Sequence, residues 1–159
     1  MNDNLVLDKI DHKILACLLN DARCSFSQIA RDVSLTDVAI KKRVERLKMK
    51  GVITSFSTDL NLKVLGYENP IFIQIRSEMQ KNKDVLKKLS SIDAIVELYQ
   101  VLGEYNLLAK IIIPSIDSSK DFIQELQKID GIVDIKSQVI LCTEKKANSL
   151  PAQSLQKKL

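Results

Sequence analysis

The sequence predicts an α+β protein in two parts: an N-terminal helix-turn-helix, winged-helix-like domain and a C-terminal ferredoxin-like βαββαβ sandwich. Three observations lead there. Apolar residues recur at helical spacing as far as Gly51. Beyond Pro70 they gather into β-branched runs. Finally, "LSSIDAIVEL" from Leu89 returns as "LQKIDGIVDI" from Leu126, with its apolar and acidic pattern kept.

The first helix lies in "LDKIDHKILACLLNDAR", where Leu7, Ile10, Ile14, Leu15 and Leu18 make one apolar stripe. Ser25 and Gln28 have the spacing of a capping box, opening a second helix through about Asp32 with Phe26, Ile29 and Val33 inward. Thr36 is placed to cap a third helix, whose core stripe is Ile40, Val44 and Leu47 and which Gly51 stops. Three short helices with a tight turn before the third form a helix-turn-helix.

Charge says what that third helix is for. From Thr36 to Lys50 six cations face only Asp37 and Glu45. With Ile40, Val44 and Leu47 inward, Val38, Lys42 and Arg46 fall outward, flanked by Lys41 and Arg43. An exposed helix fits the major groove of double-stranded DNA, with N-terminal residues on base edges and cations on phosphates. Thr36, Asp37, Val38, Lys41 and Lys42 are therefore expected at base edges or adjacent backbone, and Arg43 and Arg46 chiefly on phosphates. Charge alone would suit a solvated helix face; the helix-turn-helix context turns the reading toward DNA.

In the second part "PIFIQIR", "AIVELYQVL", "NLLAKIIIP" and "GIVDIKSQVIL" suit strands. Between them, Val85, Leu86, Leu89 and Ile92, then Phe122, Ile123, Leu126 and Ile129, have helical spacing. The order βαββαβ, with its internal repeat, gives a split-βαβ sandwich. Both helices cover one sheet face. Either Ile71, Ile73 and Ile75 or Phe72 then faces outward, and an uncovered apolar face predicts a symmetric homodimer.

Composition narrows the function classes. Residues 1–66 hold 11 Lys/Arg against 8 Asp/Glu, residues 67–144 hold 9 against 12, and residues 145–159 hold 4 against none. A basic part joined to an acidic part suggests modules with different partners. No apolar run reaches the roughly 18 residues of a membrane span, and the N-terminus lacks a signal-peptide pattern, so a cytoplasmic chain without membrane contact is expected. Cys17, Cys24 and Cys142 form no CxxC pair and are read as reduced thiols, with no metal site and no cofactor. His12, the single histidine, is read as a surface residue on the polar side of the first helix. The basic tail is read as a loose end rather than a second DNA contact.

The stretches "LDKIDHKILACLLNDAR", "IARDVSLTDVAIKKRVERLKMKGVI" and "TDLNLKVLGY" resemble the N-terminal half of Lrp/AsnC-type transcriptional regulators, and the similarity runs through roughly residues 5–145. The resemblance implies a DNA-binding domain over 1–53, an extended linker over 54–68 that pairs between subunits, and a sensing and oligomerising domain over 69–145, before the tail 146–159. It also implies dimers that gather further, from tetramer to octamer, on the nucleoid, and an amino-acid effector.

"VLGEYNLL" resembles the family's Gly-x-x-Asp turn, which places Gly103, Glu104, Tyr105 and Asn106 at the effector site, joined by Ser137 and Gln138 of "KSQV". Asn106 stands where the pattern has Asp, disfavouring lysine and arginine relative to neutral effectors. The plainer reading of "GEYN" is a β-turn. Two other functions fit less of the sequence. An architectural, weakly specific DNA-coating protein would need only the lysines. Siroheme decarboxylases share the layout, but residues 67–144 hold no histidine and Arg76 as their single arginine, which argues against an enzyme.

Overall fold

The computed structural model describes residues 6–67, 70–146 and 150–151. It divides into two compact units, Met1–Asp59 with Lys145–Leu159, and Leu60–Glu144. The first holds helices α1 (Lys9–Asn20), α2 (Phe26–Asp32) and α3 (Asp37–Met49). The second runs β1 (Ile71–Ser77), a 3-10 turn (Met79–Lys81), α4 (Asn82–Ser90), β2 (Ile95–Gln100), β3 (Leu107–Ile111), α5 (Asp117–Gln127) and β4 (Ile132–Val139).

Ile14, Leu15 and Leu18 of α1 close on Ile29 and Ala30 of α2 and on Ile40, Val44 and Leu47 of α3, all buried. Leu7, Ile10, Phe26 and Val33 pack half-buried around them. The caps differ in part from expectation. Ser25 does accept the Gln28 N–H at 3.2 Å, but the Gln28 side chain turns away, donating to Asp32 and accepting from Arg31. The reciprocal box instead opens α1, where the Asp8 and Asp11 carboxylates each take the other's backbone N–H. His12 also corrects the sequence reading. It is buried, and its Nδ1 donates to the Asp8 carbonyl at 2.8 Å, a bond one helical turn back that lets the ring lie in the interior.

The linker is not extended throughout. Beyond Leu60 it winds into turns, with Leu65 N–H bonded to the Leu62 carbonyl and Tyr67 N–H to the same oxygen. Most of the basic tail lies outside the described residues; Lys146 pairs with Asp59 at 2.7 Å.

In the sheet β1 and β3 are central, in the order β2-β3-β1-β4, and every neighbouring pair is antiparallel. Each βαβ crossover therefore skips one strand, which is the split-βαβ arrangement. Strand alternation decides which face is covered. Ile71, Ile73 and Ile75 turn toward Val85 and Leu89 of α4 and Leu126 of α5, and are buried with Leu107, Ala109 and Ile111. Phe72, Gln74 and Arg76 take the open face.

The open face is less apolar than the sequence suggests. Residues opposite one another across antiparallel strands share a face, so Phe72 has Lys110 on one side and Gln138 on the other. Lys110 pairs with Glu97 at 2.6 Å. Leu108 and Tyr99, opposite one another, complete the apolar part beside Phe72.

The repeat is built twice with the same turn. Ile92 N–H bonds to the Leu89 carbonyl and Ile95 N–H to that of Ile92; Ile129 and Ile132 repeat this on Leu126 and Ile129. One position differs: Ala94 in the first half corresponds to Gly131 in the second. Gly131 has φ +95°, and a Cβ there would lie 2.7 Å from Lys81 Cβ.

Candidate nucleic-acid interface and sensing turn

The turn between α2 and α3 sets the start of α3. Ser34 takes a left-handed conformation (φ 55°), and the Leu35 N–H returns to the Ala30 carbonyl at 2.9 Å, closing α2. Thr36 Oγ1 then accepts the Ala39 N–H at 3.2 Å, capping α3. Ser27 donates to the Asp37 carboxylate, tying the first turn of α3 to α2. Asp37 is thereby held in place beside the helix start.

The outer face of α3 holds two kinds of cation. Lys41 and Lys42 are exposed and make no ion pair among the described residues, and Val38 is 62% exposed beside them. Arg43 and Arg46 are already engaged. Arg43 Nη1 lies 2.6 Å from Asp8 and 2.9 Å from Asp11, while Arg46 Nη2 lies 2.5 Å from the other Asp11 oxygen. Asp11 is fully buried. The Asp11 side chain can be buried there because two guanidinium groups and the Asp8 N–H donate to its oxygens.

The Asp8 hydrogen bond, chiefly, raises the Arg43 pKa against its desolvation. Asp8 in turn lies below the usual carboxylate range: its own desolvation is outweighed by the Asp11 N–H and Arg43. The two arginines thus fasten α3 to α1, a role not evident when the helix is considered alone. Helical spacing could not have shown it, because the partner acid lies 32 residues upstream of Arg43.

In the sheet unit the turn after β2 carries Gly103 (φ +144°), Glu104, Tyr105 and Asn106, and is closed by the Val101 N–H on the Asn106 carbonyl at 3.0 Å. Asn106 clasps the end of β1. Its Oδ1 accepts the Ser77 N–H at 2.8 Å and its Nδ2 donates to the Ser77 carbonyl at 3.3 Å. Tyr105 reaches across to β4, where its hydroxyl donates to Asp134 at 2.5 Å and Lys136 Nζ stands 4.3 Å from the ring centre. The Tyr105 hydroxyl is the main reason the Asp134 carboxyl is held below its ordinary range. Arg76 lies 3.6 Å from Glu104, and its Nε is buried with no acceptor among the described residues.

The turn therefore gathers Arg76, Asp134 and Lys136, none of which the sequence singled out as a site residue. Strand register alone would have placed Arg76 opposite Asp134. Ser137 and Gln138 are not brought to it. They pair with Ile73 and Phe72, on opposite faces of the sheet, and no hydrogen bond joins them to the turn among the described residues.

Asp11→Asn keeps the side chain's shape but removes the charge that holds both arginines. The expected loss is about 2–4 kcal/mol of unfolding free energy, toward the lower end because the arginines are partly exposed. Urea denaturation of the full chain checks it; a change below about 0.5 kcal/mol would mean the network is ornamental.

Comparison with known proteins places these parts. Residues 7–48 match the AsnC-type helix-turn-helix domain, and residues 71–150 match the Lrp/AsnC ligand binding domain. The chain is 40% identical over 113 residues to HTH-type transcriptional regulator Ptr1 of Methanocaldococcus jannaschii, covering 71% of this chain and 76% of that one. It is 33% identical over 117 residues to the Escherichia coli regulatory protein AsnC, covering 73% and 77%.

Among solved structures, E. coli AsnC superposes with a TM-score of 0.84 at 29% identity, covering 92% of this chain and 99% of that one. A feast or famine regulatory protein of M. tuberculosis, complexed with L-methionine, gives 0.83 at 25% identity, covering 91% and 99%. With a capped helix-turn-helix in the first unit and a split-βαβ sheet in the second, the chain belongs to the Lrp/AsnC family of DNA-binding transcriptional regulators.

Proposed function

We propose that this regulator reads DNA through the N-terminal half of α3, with Val38 against base edges, Lys41 and Lys42 on phosphates, and Thr36 and Asp37 at the adjoining backbone. The carrying observation is the division of cations on α3: Lys41 and Lys42 face solvent with no ion pair among the described residues, while Arg43 and Arg46 are held by Asp11. Val38 is an exposed apolar residue where a thymine methyl would be read. Arg43 and Arg46 act on DNA mainly by fixing the angle of the helix, with their exposed edges adding to the field.

The functional division follows the chain. Residues 1–53 bind DNA, residues 54–68 link, residues 69–145 sense and assemble, and residues 146–159 form a basic tail. Two copies meet through the open sheet face around Phe72, Leu108 and Tyr99, and further association toward tetramers or octamers builds on that dimer. We read the chain as non-catalytic and as working on the nucleoid in the cytoplasm; its family's transcriptional role supports both.

The effector is a neutral amino acid bound at the Gly103–Asn106 turn. Two features support this: the match to a ligand binding domain and the L-methionine complex of the M. tuberculosis relative. Asn106 gives a ligand no charge, and its amide positions the turn on β1. Glu104 and Tyr105 supply polar atoms, and Gln138 lies farther along the same face, with Ser137 on the strand beside it.

Replacing Lys41 and Lys42 together with alanine is expected to leave the thermal midpoint unchanged and to lower the slope of log affinity against log salt by about two. Binding assays across a salt series, with and without competitor DNA, test this. An unchanged slope moves the DNA surface elsewhere, and equal binding to competitor supports an architectural coat.

Phe72→Asp is expected to convert the dimer to monomer, since an unpaired charge in an apolar interface is costly. Light scattering that shows an intact dimer would remove the sheet face from assembly.

Calorimetry against a panel of amino acids tests the effector reading. Neutral residues are expected to bind more tightly than lysine or arginine, and Asn106→Asp to narrow that gap. Tight lysine binding by the wild type would remove Asn106 as its determinant.

A further inference from the structure

The helical unit holds a feature that neither DNA binding nor sensing uses. Cys17, in the C-terminal half of α1, and Cys24, the residue before the N-cap Ser25 of α2, place their Sγ atoms 3.1 Å apart. That is within about 1 Å of a bonded S–S distance of roughly 2.05 Å. Both side chains are half-buried, and the third thiol, Cys142, is exposed in the other unit.

The backbone between the two thiols is already fixed. The Asp21 N–H bonds to the Cys17 carbonyl at 3.0 Å, and the Cys24 N–H bonds to the Asp21 carbonyl at 2.9 Å. Closing a bond therefore asks for a small side-chain adjustment rather than a new corner.

Access is unequal. Cys24 lines a hollow of about 330 Å³ whose walls include Arg23, Phe26 and Phe56, and Cys17 is not among those walls. Burial, then the adjoining Cys24 thiol, pushes the Cys17 pKa up to about 11, so Cys17 stays protonated near neutrality. Cys24 is the sulfur a small oxidant meets first.

We propose that Cys17 and Cys24 form a reversible dithiol–disulfide couple that clamps the corner between α1 and α2 when a hydroperoxide, such as hydrogen peroxide, enters the hollow. The Cys24 thiolate attacks one peroxide oxygen: an S–O bond forms and the O–O bond breaks. The departing hydroxide takes up the proton released by the thiol and leaves as water. Cys17 sulfur then attacks Cys24 sulfur; the S–S bond forms, the S–O bond breaks, and the hydroxide leaves as a second water with the Cys17 proton. Two thiols are oxidised by two electrons and one hydrogen peroxide is reduced to two waters. Because the sulfurs already touch, the clamp holds the geometry that presents α3 and leaves DNA affinity unchanged.

The test uses the full chain carrying Cys142→Ser, so that only the pair can react. Treatment with hydrogen peroxide should remove two hydrogens from the intact mass and yield a linked peptide containing Cys17 and Cys24. The thermal midpoint of the helical transition should rise by about 5–10 °C, and dithiothreitol should reverse both changes. Cys17→Ser and Cys24→Ser, each in the same background, should abolish the rise. Added oxygen without loss of two hydrogens, thiols that stay titratable under peroxide, or a cross-link that leaves the midpoint unmoved would each overturn the proposal.

Discussion

The sheet unit depends on the alternation of one strand. β1 is hydrogen-bonded on both edges, to β3 and to β4, so its side chains have only two directions to take. Ile71, Ile73 and Ile75 fill one direction without remaining exposure and draw α4 and α5 onto it. The other direction is thereby assigned to Phe72, Gln74 and Arg76. A register slip of one residue would exchange these sets, burying Arg76 and exposing three isoleucines, which no local adjustment could offset. The strand also ends at Ser77, where Asn106 takes hold. Core, open face and the Gly103–Asn106 turn are all positioned by the same seven residues.

The helical unit is organised by charge as well as burial. Its apolar stripes define which side of α3 faces inward, but they do not prevent a short helix from rotating a few degrees about that stripe. The buried Asp11 carboxylate limits that freedom by gripping α3 at two points one turn apart, Arg43 and Arg46. The strongest cations on the helix are thus used for orientation, and the weaker, more hydrated lysines remain outside. Counting basic residues on a helix overstates the charge it offers to a partner whenever a buried acid stands behind it.

The elements of the fold were legible because they rest on short-range pattern. Helical spacing, the Thr36 cap and the repeated segments at Leu89 and Leu126 carry their meaning within a dozen residues. What escaped the sequence depends on tertiary packing. The pairing of Arg43 with Asp8, the burial of His12 against a carbonyl one turn back, and the reach of Tyr105 to Asp134 all need the packed arrangement. Gln28 shows a different failure: the spacing of a capping box was present, but Asp32 and Arg31 offered its side chain closer partners. The resemblance pointed to the Gly103–Asn106 turn, whereas its neighbours Arg76 and Lys136 emerge from strand register, which a single sequence leaves open until the pairing is known.

The repeat in the sheet unit looks symmetric on paper, but its halves are not exchangeable. At position 94 the chain has an alanine in ordinary backbone; at position 131 it has a glycine turned through φ +95° against the stem of Lys81. Moving glycine into the first half would loosen a turn by about 0.5–1 kcal/mol. Moving alanine into the second would force the backbone of the 3-10 turn outward, since Cβ of Lys81 cannot swing aside as a side-chain tip could. At this one position exchange between the halves is one-way: glycine can enter the first turn at modest cost, while alanine in the second is sterically closed.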